Sequence, residues 1–493
     1  MMTGEAAFGT ESAVPVLGSR EGVRRAGAVW AAEPLAVRAA VLTRAARELA
    51  RAEWLVQEMA HATGRPAHEV WSAELLPTVD ALRWLASAGR AALRPSRLRS
   101  SGLQWFFRPA RHELRWDPLG VVGVISPANS LLFLAVPQIA GALLGGNAVL
   151  WKPALTGTTM ARAILALLGR AGLPAGVLRI VAGEAVAARA VVLAGIDKLF
   201  FTGGARAGLA LYRLQAEAGR PAVLELSGRH AAVVLADAPL AQTARGLVWG
   251  KLANDGRNCV SVQLVLAERP VAGPLVAALG DAMARVRPIG PDRRSPEELA
   301  RLRGFVADAV ARGARIAHAG PDGGLPVVLA DVVPGMRVVD EEVQGPIVAL
   351  AAVDTAEDAV DWINAGDSRL SASVWSRDVA RARRLAARLD VGQVWINDAL
   401  HPTAQPAVPL AGRGRSGFGA SRGLAGLLET VQPKVVSVMP RWAPRFHYQV
   451  PGPATERLLA ATARLGVAPG LRARLGAGAA LLRAIATPLR RQA

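Results

Sequence analysis

A thiol and a carboxylate stand at a spacing that allows two-stage acyl chemistry. The only cysteine, Cys259, closes the string Asn254-Asp255-Gly256-Arg257-Asn258-Cys259, and Glu225 lies 34 positions earlier in Glu225-Leu226-Ser227-Gly228. A thiolate attacks a carbonyl carbon, and a carboxylate can later activate the water that releases the acyl group. As a residue type, a lone cysteine is more often a small buried hydrophobe. Its flanks argue otherwise: Gly256 and Asn258 suit a tight turn, while Lys251 and Arg257 bring positive charge expected to favour the thiolate.

Four further segments carry candidate binding groups. In Lys198-Leu199-Phe200-Phe201-Thr202-Gly203-Gly204-Ala205-Arg206-Ala207-Gly208 an apolar run ends in glycines, which let backbone N–H groups approach a pyrophosphate at a helix N-terminus. The full G-x-G-x-x-G spacing is missing, and most such turns bind nothing. Asn129, in Ser126-Pro127-Ala128-Asn129-Ser130, is either a turn former or a side-chain N–H donor for a developing oxyanion. Lys152 ends an apolar run before Pro153, either solvated or at a strand end where cofactors dock. Glu342, in Glu341-Glu342-Val343-Gln344-Gly345-Pro346, reads as an exposed acidic turn or a hydroxyl-binding carboxylate. The seven histidines form no cluster with metal-ligand spacing, so no metal is expected. The chain carries no G-x-S-x-G elbow and no G-K-[ST] phosphate loop.

Positioning these groups calls for an α/β scaffold. The runs 121–125, 148–151, 177–181, 198–201, 222–226 and 231–235 alternate with helical stretches, which predicts parallel sheets and a doubly wound nucleotide-binding domain. A second α/β domain is expected from 227, with strands at 261–267, 347–353 and 393–396. Amphipathic helices are expected over 21–61 and 67–94, separated by Thr63-Gly64-Arg65-Pro66, and a hairpin over 103–116. The apolar stretch 119–151 is interrupted by Pro127, Asn129, Pro137 and Gly145-Gly146, so it reads as a domain interior and not a membrane span.

The net charge of +19 invites a nucleic-acid partner. Only four of the basic residues are lysine, the arginines are spread along the chain and two tyrosines occur, so no basic, aromatic stacking surface stands out and nucleic acid is excluded. One cysteine fits a reducing compartment, and the first 19 residues lack a basic segment followed by an apolar one, so a cytoplasmic location is expected.

Taken in order, the Pro-x-Asn turn at Asn129, Lys152-Pro153-Ala154, Phe201-Thr202-Gly203-Gly204, Glu225-Leu226-x-Gly228, Asn254-x-Gly256-x-x-Cys259, Glu341-Glu342-x-x-Gly345-Pro346, Ile396-Asn397 and Gly412 to Gly419 resemble the aldehyde dehydrogenase superfamily over residues 20–440. The resemblance implies an aldehyde dehydrogenase-like α/β fold: a Rossmann-like cofactor domain over 1–226, a catalytic domain over 227–402, and a small β oligomerisation arm. The arm is built from the 103–116 hairpin and a strand near Lys434 to Val438, within a return segment 403–440. It implies an enzyme that oxidises an aldehyde to a carboxylic acid with NAD or NADP, working as a homodimer or homotetramer. Cys259 would be the nucleophile, Asn129 the oxyanion donor and Glu225 the base. Lys152 would bind the adenosine ribose, Gly203 and Gly204, with Gly208, would border the pyrophosphate, and Glu342 would hold the nicotinamide ribose.

The chain departs from the family at Leu155, where a ribose-gripping Glu is frequent; losing that carboxylate, with Arg206 nearby, favours acceptance of the 2′-phosphate of NADP. Arg257, Gln344 and Arg413-Gly414 also differ from the usual residues. The alternatives are an enzyme that passes the acyl group to coenzyme A and a non-catalytic, membrane-associated binding protein on the same fold. The extension 441–493 holds nine arginines against the single acid Glu456 and reads either as a basic helical extension packed on the enzyme or as a segment lying in an anionic membrane surface.

Overall fold

Strands bury both faces when helices cover a sheet on each side, and their sequences then become continuous apolar runs rather than alternating ones. In the computed structural model, which describes residues 20–99, 107–286, 294–443, 445, 448 and 452–489, the apolar runs form strands of this kind. Val121–Ile125, Ala148–Lys152, Leu178–Ile180, Lys198–Thr202 and Ala222–Glu225 pair in parallel, and Gly417–Phe418 adds an antiparallel edge to Ala222–Glu225. The sheet runs outward from Val121–Ile125 through Ala148–Lys152 to one side and through Lys198–Thr202 to the other. A switch in strand order of this type opens a crevice at the carboxyl ends.

A second sheet of seven strands is parallel apart from the antiparallel edge Arg315–Ala319. It holds the expected strands as Val262–Glu268, at its centre, Ile347–Val353 and Gln393–Ile396, and it also takes the 231–235 run, as His230–Val234 beside Val262–Glu268. Val327–Ala330 and Ser371–Trp375 complete it. The N-terminal helices are Arg20–Ala32, Leu35–Ala50 and Glu53–Thr63, the last capped by left-handed Gly64 (φ 71°) in the expected turn. Beyond it, one helical stretch from Ala67 to Ala92 contains π-helical turns at Trp71–Leu75 and Leu85–Gly89.

The chain divides into two compact units. The larger takes residues 1–92 and 118–432 and includes both sheets; the smaller takes 93–117 and 433–493. In the smaller unit, Ser96–Leu98 pairs antiparallel with Arg111–Pro118, which is followed in the sheet by Val431–Val438. The expected hairpin thus begins earlier than residue 103, and its 103–106 portion lies outside the described residues. Helices Pro453–Val467 and Gly470–Leu489 pack around Leu458, Ala461 and Leu481. Among the described residues, no helix is long and apolar enough to cross a membrane.

Candidate active site

The strand ends deliver the candidates. Lys152 closes Ala148–Lys152, the glycine turn follows Lys198–Thr202, Glu225 closes Ala222–Glu225 and the Asn129 loop follows Val121–Ile125, all at the carboxyl edge of one sheet.

Cys259 sits in a loop shaped by three successive left-handed residues, Asn254 (φ 55°), Asp255 (φ 56°) and Gly256 (φ 73°). Asn and Asp are among the few side-chain-bearing types that enter this region readily. Gly256 is required by packing as well, since a Cβ there would lie 2.5 Å from the Gly345 carbonyl oxygen. The Gly345 N–H donates to the Gly256 carbonyl at 3.1 Å, which ties the cysteine loop to the Glu341–Pro346 segment. A Cβ at Gly228 would stand 2.6 Å from the Cys259 carbonyl oxygen, so the Glu225-Leu226-Ser227-Gly228 segment also lies against the cysteine backbone. Cys259 itself is half-buried beside Val260, Leu370, Trp395 and Leu410.

The charge around the thiol corrects the expectation drawn from its flanks. Burial pushes the Cys259 thiol up to about 12, with the Glu225 and Glu342 carboxylates adding to the rise, and the cation that opposes it is Arg422. Lys251 is fully buried and donates to the Val343 carbonyl at 3.2 Å, while Arg257 pairs with Glu298 at 3.4 Å. Neither is among the groups that set the charge state of the thiol. Burial also draws Lys251 down to about 7, against the pull of Glu342 and Asp255.

Glu225 is buried, and burial raises its carboxyl to about 7 against Arg422 and a hydrogen bond from Thr202. Thr202 Oγ1 donates to Glu225 Oε2 at 3.3 Å and Ser421 Oγ donates to Oε1. A carboxyl near neutrality is poised to take a proton at ordinary pH. Asn129 Nδ2 donates to the Arg257 carbonyl at 2.8 Å, and Asn129 Oδ1 accepts no hydrogen bond from the described residues. That bond fixes the amide orientation and leaves the second Nδ2 hydrogen for another acceptor. Arg422 is buried, donates to the Thr403 carbonyl and lies 4.5 Å from the centre of the Phe133 ring.

The groups proposed for a dinucleotide meet its chemistry unevenly. Gly204 caps the 13-residue helix Ala205–Glu217, and a Cβ there would meet nothing within 4 Å, leaving the amide edge open to a phosphate. Gly203 donates its N–H to the Glu225 carbonyl at 3.0 Å, joining the turn to the carboxylate strand. Gly208 faces inward, where a Cβ would stand 2.5 Å from Leu226 and 2.8 Å from the Phe201 ring, so its lack of a side chain serves close packing of helix on sheet. Lys152 is half-buried and its ammonium is lowered by burial, with Glu184 opposing. Glu342 is half-buried and accepts from Gln344 Nε2 at 3.2 Å. A glycine turn at a helix N-terminus, a strand-end lysine and a half-buried carboxylate fit a dinucleotide.

Sequence reasoning missed Arg422, Ser421 and the hydroxyl of Thr202. Thr202 stood inside a quoted motif, whereas Arg422 and Ser421 become visible only once Gly417–Phe418 pairs with the Glu225 strand.

Comparison with known proteins gives the chain its relatives. Residues 19–436 match the aldehyde dehydrogenase family. A 4,4'-diapolycopene aldehyde oxidase from Methylomonas is 32% identical over 423 residues, covering 83% of this chain and 79% of that protein. A benzaldehyde dehydrogenase [NAD(+)] from Pseudomonas putida is 32% identical over 439 residues, covering 84% of this chain and 87% of that protein. Among solved structures, a Mycobacterium tuberculosis aldehyde dehydrogenase complexed with NAD+ superposes with a TM-score of 0.78 at 30% identity, covering 87% of this chain and 90% of that one. An NADP-dependent glyceraldehyde-3-phosphate dehydrogenase from Bacillus halodurans, complexed with NADP, gives 0.79 at 29%, covering 85% and 90%.

Proposed function

The chain belongs to the aldehyde dehydrogenase family, and we propose on that footing how its residues divide the oxidation of an aldehyde to a carboxylic acid with NAD(P). Cys259 gives up its thiol proton to solvent, and the Sγ attacks the carbonyl carbon as the carbonyl π bond opens onto oxygen. The second Nδ2 hydrogen of Asn129, with the Cys259 backbone N–H, holds the oxygen that becomes negative. Bound NAD(P) supplies the hydride acceptor that takes the carbon to the acyl level. Glu225 then draws a proton from water, which cleaves the Cys259 thioester and returns the thiol. Lys152 and Glu342 hold the two riboses, Gly204 presents its amide edge to the pyrophosphate, and Gly203 borders it while its own N–H ties the turn to the Glu225 strand; Gly208 acts by letting the helix approach the sheet.

One observation carries this division of roles: segments far apart in sequence converge on the thiol. Asn129 bonds to the carbonyl two residues before Cys259, Gly228 of the Glu225 segment lies on the Cys259 carbonyl, and the Glu225 charge acts on the thiol. A carboxylate for hydrolysis disfavours transfer to coenzyme A. Leu155 is exposed in place of a ribose-gripping carboxylate, which supports NADP at least as well as NAD, although Glu184 returns a negative charge beside Lys152. A working free thiol fits the cytoplasm. The exposed valines of Val431–Val438 support a homodimer or homotetramer, and the basic helix pair of 453–489 supports a peripheral contact with anionic membrane.

Benzaldehyde, octanal and succinic semialdehyde, each with NAD and with NADP, test the reading against Cys259→Ser as blank. The expected result is aldehyde-dependent NAD(P)H with at least one of the three aldehydes, yielding acid whether or not coenzyme A is present, and none from Cys259→Ser. Absence of NAD(P)H from the parent, or equal output from the blank, contradicts it.

A further inference from the structure

We propose that Arg65, Glu69 and Glu74 are positioning residues that set the separation between the oxyanion donor Asn129 and the thiol of Cys259, an inference that rests on the roles proposed above for those two side chains.

The trio occupies the turn and helix that follow Gly64. In an unbroken α-helix, residues five apart lie about 140° round the axis from each other. Between Glu69 and Glu74 the helix widens into the π turn Trp71–Leu75, which swings Glu74 back toward the side that carries Glu69. One guanidinium then reaches both acids: Arg65 Nη1 lies 2.9 Å from Glu74 Oε1, and Arg65 Nε lies 3.5 Å from Glu69 Oε1. The Glu74 and Arg65 side chains are 1% and 9% exposed, so this is an interior linkage and not a surface ion pair.

Each acid holds a different loop with its remaining capacity. Glu74 Oε2 accepts from Ser130 Oγ at 2.9 Å and from the Leu132 and Phe133 N–H groups at 3.1 Å each, gripping the loop directly after Asn129. Glu69 Oε1 accepts from the N–H of Asn254, the first left-handed residue of the cysteine loop. The circuit closes between the loops, because Asn254 Nδ2 donates to the Asn129 carbonyl at 2.6 Å and to Asn258 Oδ1 at 3.2 Å. Arg65, Glu74, Ser130, Asn129, Asn254 and Glu69 therefore form one ring of contacts around the two groups that must face a single carbonyl. Misplacing a reacting group by about 1 Å can lower a rate by about 10²-fold.

The test compares Glu69→Ala and Glu69→Gln with the parent, using whichever of benzaldehyde, octanal and succinic semialdehyde the parent oxidises fastest. Glu69→Ala should lose about 10- to 100-fold in kcat while the KM for the cofactor stays within about twofold. Glu69→Gln keeps an acceptor oxygen for the Asn254 N–H and should recover most of the loss. Arg65→Lys, which keeps the charge and loses the fork, should reproduce the kcat deficit with the fold intact, and it carries the test should Glu69→Ala fail to fold. A Glu69→Ala kcat within about twofold of the parent, a Gln variant no better than Ala, or kcat and cofactor KM worsening together would overturn the proposal. A parent that turns over beside an unimpaired Glu69→Ala overturns the positioning role alone, whereas a parent without turnover overturns the catalytic roles beneath it.

Discussion

At Cys259 the central difficulty is ionisation. Burial, then Glu225, then Glu342 hold the thiol proton on, and Arg422, followed by a hydrogen bond from the Cys259 backbone N–H, works against them. Glu225 itself titrates near 7, so its repulsion of the thiolate is present above that pH and fades below it. The sign of a Glu225→Gln change follows: removing the neighbouring negative charge lowers the thiol pKa. At pH 8.5, alkylation of Cys259 by iodoacetamide should be roughly threefold to tenfold faster in Glu225→Gln than in the parent, as a shift of half a unit to one unit would give. At pH 5.5 the two should agree. A slower variant at pH 8.5 would instead mean that Glu225 removes the thiol proton. The reacting types were legible because a single cysteine, a turn asparagine and a strand-end glutamate each have few chemical uses. Their charge environment was not. Lys251 precedes Cys259 by eight positions yet points at Val343, and Arg257 is two positions away yet reaches Glu298, because nearness along the chain says little about direction.

Among the elements, the five parallel strands of the six-stranded sheet were readable because both-face burial leaves unbroken apolar runs, whereas the two-residue edge Gly417–Phe418 has no such run. Ser371–Trp375 escaped notice for the opposite reason: its serines are buried to hydrogen-bond His230, with Ser371 Oγ 2.9 Å from Nδ1 and Ser373 Oγ 3.1 Å from Nε2. Arg315–Ala319 is an exposed edge whose Arg and His interrupt the pattern. The π turn at Trp71–Leu75 has no signature in residue type and shows only through the contacts it makes possible. The C-terminal helix Gly470–Leu489 exposes Leu471, Leu475 and Leu482 at 74%, 65% and 70%. These three fall within about 40° of arc on a helical wheel, with Arg472, Arg474 and Arg483 to either side. Apolar side chains bordered by cations suit an anionic lipid surface. The full chain should therefore co-sediment with phosphatidylglycerol vesicles and not with phosphatidylcholine vesicles, and Arg472→Glu/Arg474→Glu/Arg483→Glu should abolish the binding while leaving turnover unchanged. Retained binding in that variant would contradict the membrane contact.

For the molecule as a whole, the proposed roles fall to residues from both sheets rather than from one. The first sheet supplies Asn129, Lys152, the glycine turn and Glu225 from its carboxyl ends; the segments bordering the second supply Cys259 and Glu342. Its charge of +19 is mostly arginine, and several of the arginines, including Arg65, Arg229 and Arg422, are spent on internal carbonyls and carboxylates. A basic composition here serves the fold as much as any partner. The proposed roles converge on an acyl group carried by one sulfur and released by one carboxylate. The direct test is intact-mass analysis of Glu225→Gln after mixing with benzaldehyde or octanal and NAD(P). The account predicts about one NAD(P)H per chain and a protein heavier by the aldehyde less two hydrogens, with the addition mapped to the Cys259 peptide and removed by hydroxylamine. Reduced cofactor with no adduct on Cys259, or undiminished steady turnover in this variant, would contradict it.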